Sequence, residues 1–252
     1  MTRFIGIIPA RYASTRLPGK PLARIGDKTL IEHVYTRAAT VLPEVTVATD
    51  DERIADAVKA FGGNVVMTAT THRSGTERCA EVSALIASDS DVVVNIQGDE
   101  PFLDAEHLQL LMECFNNPDT AIATLATRFD PGLGFEALFS PDTPKVVFDA
   151  GFNALYFSRS IIPYVRDVEW RQWLERVTFY THIGLYAYRA STLRELVALP
   201  PSPLEEAERL EQLRWLSAGY RIRIAVTDKR SLSVDTPADL EAARILYSQS
   251  KL

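Results

Sequence analysis

Phe4-Ile5-Gly6-Ile7-Ile8-Pro9-Ala10-Arg11-Tyr12-Ala13-Ser14-Thr15-Arg16-Leu17-Pro18-Gly19-Lys20-Pro21 joins an apolar run to a loop. Residues 4–8 read as a β-strand. Residues 9–21 cannot be helix: they hold three prolines and a glycine, with Arg11, Arg16 and Lys20 among small polar residues. Arg3, Arg11, Arg16, Lys20 and Arg24 all precede the first acidic residue, Asp27. The 252-residue chain carries a formal net charge of −6. Its early cations therefore mark a local anion site rather than a global basic field.

Outward from this loop, strand and helix patterns alternate. Helical spacing covers residues 29–41, 52–61, 75–87 and 106–115, and strand patterns cover 45–48, 64–67, 91–96 and 121–126. Thr49-Asp50-Asp51 can cap the second helix, and Gly62-Gly63 ends it. Strands separated by helices of ten to fifteen residues imply right-handed crossovers and a parallel sheet. Ligands in such sheets bind beyond the carboxyl ends of the strands. The loops 9–21, 70–78 and 97–101 all fall there.

The second half is less regular. Short strands at 145–148 and 155–157, joined near Gly151, suggest antiparallel pairing. Residues 184–188 and 221–226 read as strands, and 191–198, 204–218 and 237–247 as helices, the last capped by Asp235 or Thr236. Residues 162–178 resist assignment. The expected class is α/β, a Rossmann-like, mostly parallel sheet with a smaller antiparallel region. No linker divides the chain, so residues 1–252 read as a single domain, with 145–190 a less regular sub-region.

Composition narrows the function. An acidic chain lacks the basic face of a general nucleic-acid binder. Cys79 and Cys114 fit neither a disulfide framework nor a zinc spacing and read as small buried hydrophobes. No leader-like segment and no apolar run of membrane-spanning length occurs, so a cytoplasmic protein is expected.

The first loop has what a phosphate cradle needs: turns, backbone N–H groups and cations. It is not a Walker loop, because Ser14 stands where that motif needs glycine and Pro21 follows Lys20, and it is not Gly-x-Gly-x-x-Gly. The apolar strand before Gln97-Gly98-Asp99-Glu100-Pro101 delivers carboxylates beside a glycine, and such oxygens suit Mg²⁺. His72-Arg73-Ser74-Gly75-Thr76-Glu77-Arg78 sets two arginines at a helix start. His182 and Tyr186 share one face of a strand by its period of two. Asp235 reads as an N-cap or as a second metal-holding carboxylate.

In order along nearly the whole chain, several segments resemble the motifs of the 3-deoxy-manno-octulosonate (KDO) cytidylyltransferases, the CMP-KDO synthetases. They are residues 9–22, 72–78 and Val94-Asn95-Ile96-Gln97-Gly98-Asp99-Glu100-Pro101, then Ala154-Leu155-Tyr156-Phe157-Ser158-Arg159, Pro201-Ser202-Pro203-Leu204-Glu205, Leu210-Glu211-Gln212-Leu213-Arg214 and Val234-Asp235-Thr236-Pro237. The likeness is weakest over 163–180. It implies a nucleotide-sugar transferase fold, a homodimer, CTP and KDO as substrates, Mg²⁺ as cofactor, and a place in making lipopolysaccharide, with 145–190 contributing to the sugar site and the dimer interface. It also implies that Arg11, Ser14, Arg16 and Lys20 hold the CTP phosphates, with Gln97 and Arg73 near the nucleotide. By the same likeness Asp99 and Asp235 hold Mg²⁺, and Arg159, His182, Tyr186, Glu211 and Gln212 contact the sugar acid. Lys20, Arg16, Asp99 and Asp235 are the expected catalytic set. Other cytidylyltransferases, for an amino-substituted KDO or a sialic acid, are the enzyme alternatives; a nucleotide-binding regulatory module without catalysis is the non-enzyme one.

Overall fold

Ile5, Ile7 and Ile8 of β1 (Phe4–Ala10) have no exposed surface, so both faces of this strand are covered, as a central parallel strand requires. A computed structural model describes residues 2–13, 16–230 and 232–249. After β1 come β2 (Arg24–Ile25), β3 (Lys28–Thr29), α1 (Leu30–Ala38), β4 (Glu44–Thr49), α2 (Glu52–Ala60), β5 (Asn64–Met67), α3 (Gly75–Ile86), β6 (Val92–Asn95) and α4 (Ala105–Cys114). Then follow β7 (Ile122–Arg128), α5 (Phe135–Leu138), β8 (Lys145–Phe148), β9 (Ala154–Ser158), α6 (Trp173–Arg176), β10 (Tyr180–Arg189) and α7 (Ala190–Ala198). The chain closes with α8 (Pro203–Glu208), α9 (Gln212–Ser217), β11 (Ile222–Thr227) and α10 (Pro237–Gln249).

The chain forms two compact units. The first comprises Met1–Met112, Leu185–Val197 and Ser231–Leu252. In it β1 lies between β4 and β6 and pairs in parallel with both, β5 adds in parallel to β4, and residues 186–189 pair antiparallel with β6. The chain thus builds outward on one side of β1 and then returns to its other side. That reversal opens a crevice beyond the carboxyl ends of β1 and β6. Side-chain caps start the helices: Asp51 accepts from Arg53 N at 3.0 Å on α2, and Ser74 accepts from Glu77 N at 3.2 Å on α3.

The second unit comprises Glu113–Gly184 and Ala198–Arg230. There β11 pairs in parallel with β7, and β8 pairs antiparallel with β9, as expected for the hairpin about Gly151. The unassigned stretch 162–178 forms a 3₁₀ turn and α6. Trp173 joins Phe135, Leu138 and Phe179 in a separate aromatic core. The single helix expected over 204–218 is instead two, because Arg209 takes a left-handed conformation (φ 53°) and turns the chain between α8 and α9. The strand expected over 184–188 is longer, beginning at Tyr180. Cys79 is buried; Cys114 is only partly so, and burial pushes its thiol up to about 11.

Candidate active site

A cleft of about 360 Å³ in the first unit is lined by Ala10, Arg11, Arg16, Lys20, Arg73, Gln97, Asp99 and Asp235, among others. The loop after β1 therefore meets the loops after β5 and β6 there, as the topology predicts. Ser14 lies outside the described residues. Backbone approach decides two positions. Gly19 has φ 68°, donates its N–H to Tyr12 O at 3.2 Å and so closes the loop on itself. A Cβ on Gly98 would sit 3.0 Å from Pro9 O, so glycine lets the β6 loop pass close to the end of β1. Arg53 stacks on Tyr12, its guanidinium carbon 3.3 Å from the ring centroid, and braces the loop from α2.

Four charged side chains converge in the cleft. Lys20 Nζ donates to Asp99 Oδ2 at 2.7 Å and to Asp235 Oδ1 at 3.0 Å. Arg16 reaches the same Asp235 oxygen at 3.2 Å, but its side chain is 65% exposed against 16% for Lys20. Burial works against the Lys20 ammonium; Asp99 and then Asp235 outweigh it, so its pKa is raised. Asp99 and Asp235 belong to distant segments, yet Val234 N donates to Asp99 O at 2.8 Å and ties the two together.

Asp235 is not the cap of α10. Thr236 Oγ1 accepts from Asp239 N at 3.2 Å, and the Asp239 carboxylate accepts from Thr236 N at 2.8 Å and Asp235 N at 3.1 Å. This reciprocal cap satisfies the helix start and leaves the Asp235 carboxylate to face Lys20. A carboxylate pair already gathering one cation is a donor set of the kind Mg²⁺ uses when phosphates and water complete its shell. Among the described residues no cluster of three or more His, Cys, Asp or Glu forms a fuller metal site. Glu100, the other acid of that loop, is buried and does not line the cleft.

The two arginines of the third motif divide. Arg73 stays exposed beside the cleft and pairs with Glu77 at 3.1 Å, whereas Arg78 is buried and pairs with Asp50 at 2.9 Å. His72 is bonded to Glu81. Sequence pattern marked neither Asp50 nor Glu81 as a partner, because these pairings join separate segments.

The expected sugar-side residues Arg159, His182, Glu211 and Gln212 lie in the second unit, and Tyr186 lies in the first. Arg159 donates Nε to Glu208 O at 2.6 Å, Nη1 to Pro141 O at 2.7 Å and Nη2 to Arg209 O at 3.3 Å. Thr124 Oγ1 lies 3.2 Å from Ile183 O and 3.0 Å from His182 Nε2, within hydrogen-bond reach of both. The ring packs edge-on against Phe157, and burial lowers its pKa to about 3. His182 is thus a neutral hydrogen-bonding group at neutral pH. Glu211 stands at the start of α9. Gln212 is buried, and its Nε2 has no acceptor among the described residues. Tyr186 is buried on β10 and stacks with Tyr188 at 5.8 Å. The sequence pattern places Lys145 at a strand start and Glu208 on a helix with Glu211, Gln212 and Arg214 but gives neither a role, although a lone lysine in the run Lys-Val-Val-Phe is the trace that a buried lysine leaves.

A strand-end cleft with convergent cations and carboxylates defines an α/β nucleotidyltransferase-like site, and the cytidylyltransferase family profile matches residues 5–224. The 3-deoxy-manno-octulosonate cytidylyltransferase of Parabacteroides distasonis is 55% identical over 96% of this chain and 97% of its own length. That of Phocaeicola vulgatus is 55% identical over 98% of both. The solved structure of a CMP:2-keto-3-deoxy-manno-octonic acid synthetase complexed with CTP superposes with a TM-score of 0.91 at 42% identity, covering 99% of this chain and all of that one. The chain belongs to the 3-deoxy-manno-octulosonate cytidylyltransferases.

Proposed function

We propose that this protein transfers CMP from CTP to the anomeric hydroxyl of KDO, giving CMP-KDO and pyrophosphate. The observation that carries the reading is the meeting of Lys20, Asp99 and Asp235 in one cleft, on a chain with these relatives. The anomeric hydroxyl gives up its proton to water as its oxygen attacks the α-phosphorus, the new O–P bond forms, and the bond from the α-phosphorus to the oxygen bridging the β-phosphate breaks, releasing pyrophosphate. Such transfer depends on positioning and charge neutralisation rather than on covalent help.

Arg11, Arg16, Lys20 and Arg73 supply positive charge to the triphosphate, and Lys20 and Arg16 offset the charge that grows on departing pyrophosphate. Gln97 stands beside the nucleotide. Asp99 and Asp235 would hold Mg²⁺, which when bound polarises phosphoryl oxygens and lowers the pKa of a ligated hydroxyl. On the sugar side, Arg159 suits the carboxylate by its fork geometry, and Gln212 Nε2 and neutral His182 suit hydroxyls. Tyr186 and Glu211 complete this proposed set.

A homodimer is part of the proposal. In the second unit Phe139 and Tyr164 are exposed over the aromatic core and pack on Trp170 and Trp173, a patch that a second copy would cover. No helix among the described residues is long and apolar enough to cross a membrane. A cytoplasmic place in lipopolysaccharide synthesis belongs to the same reading. Pyrophosphate release from CTP, measured with KDO, amino-substituted KDO and sialic acid in turn, tests it. KDO should give the highest kcat/KM, and preference for another acid or no release would contradict the assignment.

A further inference from the structure

We propose that Glu208, backed by Ser158 and the buried ammonium of Lys145, positions Arg159 for the carboxylate of the sugar acid. This rests on the assignment of Arg159 to the sugar acid. Glu208 holds Arg159 at both ends. Its Oε2 accepts from Arg159 N at 2.8 Å, its backbone oxygen accepts from Arg159 Nε at 2.6 Å, and its Oε1 accepts from Ser158 Oγ at 2.6 Å. The Glu208 carboxylate is therefore committed to the β9 end and does not pair with the guanidinium. Among the described residues no carboxylate forms an ion pair with Arg159, whose positive charge is kept for a ligand.

Lys145 fixes the other side of this arrangement. It is fully buried, and Nζ donates to Ser140 O at 2.9 Å, Thr143 O at 2.9 Å and Arg159 O at 2.8 Å. All three ammonium protons thus go to carbonyls. Residues 140 and 143 bracket Pro141, whose carbonyl takes Arg159 Nη1. Lys145 consequently sets the height of that acceptor as well as the backbone of Arg159.

Donor arithmetic then defines what remains. A guanidinium has five N–H groups. Three go to the carbonyls of Glu208, Pro141 and Arg209, leaving one on Nη1 and one on Nη2. Two N–H groups on adjacent terminal nitrogens are what a bidentate carboxylate takes. The carbonyls fix the plane of the fork before the ligand arrives, which reduces the ordering cost on binding.

The experiment measures KM for KDO and for CTP separately, with thermal melts, in Glu208→Gln, Ser158→Ala and Arg159→Ala. An amide at 208 cannot accept with both atoms, so Glu208→Gln should raise the KM for KDO about ten-fold and leave that for CTP within about two-fold. Ser158→Ala should shift the same constant less, and it carries the test if Glu208→Gln fails to fold. A fall in kcat and melting temperature with the KM for KDO unmoved would overturn the proposal and leave Glu208 a structural residue. If Arg159→Ala raises that KM and neither Glu208→Gln nor Ser158→Ala does, positioning alone fails. If Arg159→Ala leaves it unchanged, the sugar-side assignment of Arg159 fails with it.

Discussion

The cleft of the first unit and the Arg159 cluster of the second handle charge in opposite ways. In the first, Arg16, Lys20, Asp99 and Asp235 turn toward one another around a cleft at the strand ends. In the second, Lys145 and Arg159 turn to backbone carbonyls. A triphosphate with a metal needs several charges converging on one point, and a short cationic loop supplies them. A single planar carboxylate needs one well-aimed fork, and alignment comes from carbonyls contributed by separate segments.

Removing a charge from the first unit should hurt most. Asp99→Asn should lower kcat by about a hundred-fold or more while the melting temperature stays near that of the parent, because the change takes away half of the carboxylate pair. Near-normal turnover at ordinary Mg²⁺ would break the contrast between the units. Lys20→Ala should cost about 1.5–3 kcal/mol in kcat/KM for CTP, the worth of a charge-assisted contact. Steady-state titration of CTP reads this, and an unchanged value would reduce Lys20 to a neutraliser of Asp99 and Asp235.

The second unit should show its character in pH dependence. His182 has a folded pKa of about 3, below the value near 6.5 it takes when unfolded. The unfolded chain therefore binds a proton that the folded one refuses. The contribution is intact above about pH 6.5 and declines as pH falls toward 3, by at most about 1.4 kcal/mol per pH unit. Denaturant melts at pH 6.5 and 5.5 should lose less stability in His182→Gln than in the parent; equal losses would contradict the lowered pKa of the imidazole. Smallest is the cap of α10. Thr236→Ala should cost about 1 kcal/mol of stability and spare turnover. Asp235→Asn should do the reverse, and matched thermal and kinetic measurements separate the two roles.

The same contrast governs how far the sequence can be read. In the first unit period and loop chemistry agree, so β5 and the three ligand loops stand where the spacing puts them. Two-residue strands such as β2 and β3 have no period to detect. The break between α8 and α9 hangs on a left-handed arginine, Arg209, with no glycine to announce it. Residues 162–178 are organised by aromatic packing on Trp173 and Phe135 rather than by a repeat. In the candidate site, Lys20, Asp99 and Asp235 were legible because each sits in a compact motif. Glu208 shows in the sequence only as a polar helix residue, because its partners lie 50 residues away and it serves them partly through its backbone.

The most direct test of the account is Mn²⁺ titration by electron paramagnetic resonance, with CTP present, on the parent and on the Asp99→Asn/Asp235→Asn double variant. The account predicts that the parent binds Mn²⁺ at the cleft in the presence of CTP. It predicts that the double variant loses this protein-held metal while CTP still binds through Arg11, Arg16, Lys20 and Arg73. Equal Mn²⁺ binding by the two proteins would contradict it and place the metal elsewhere.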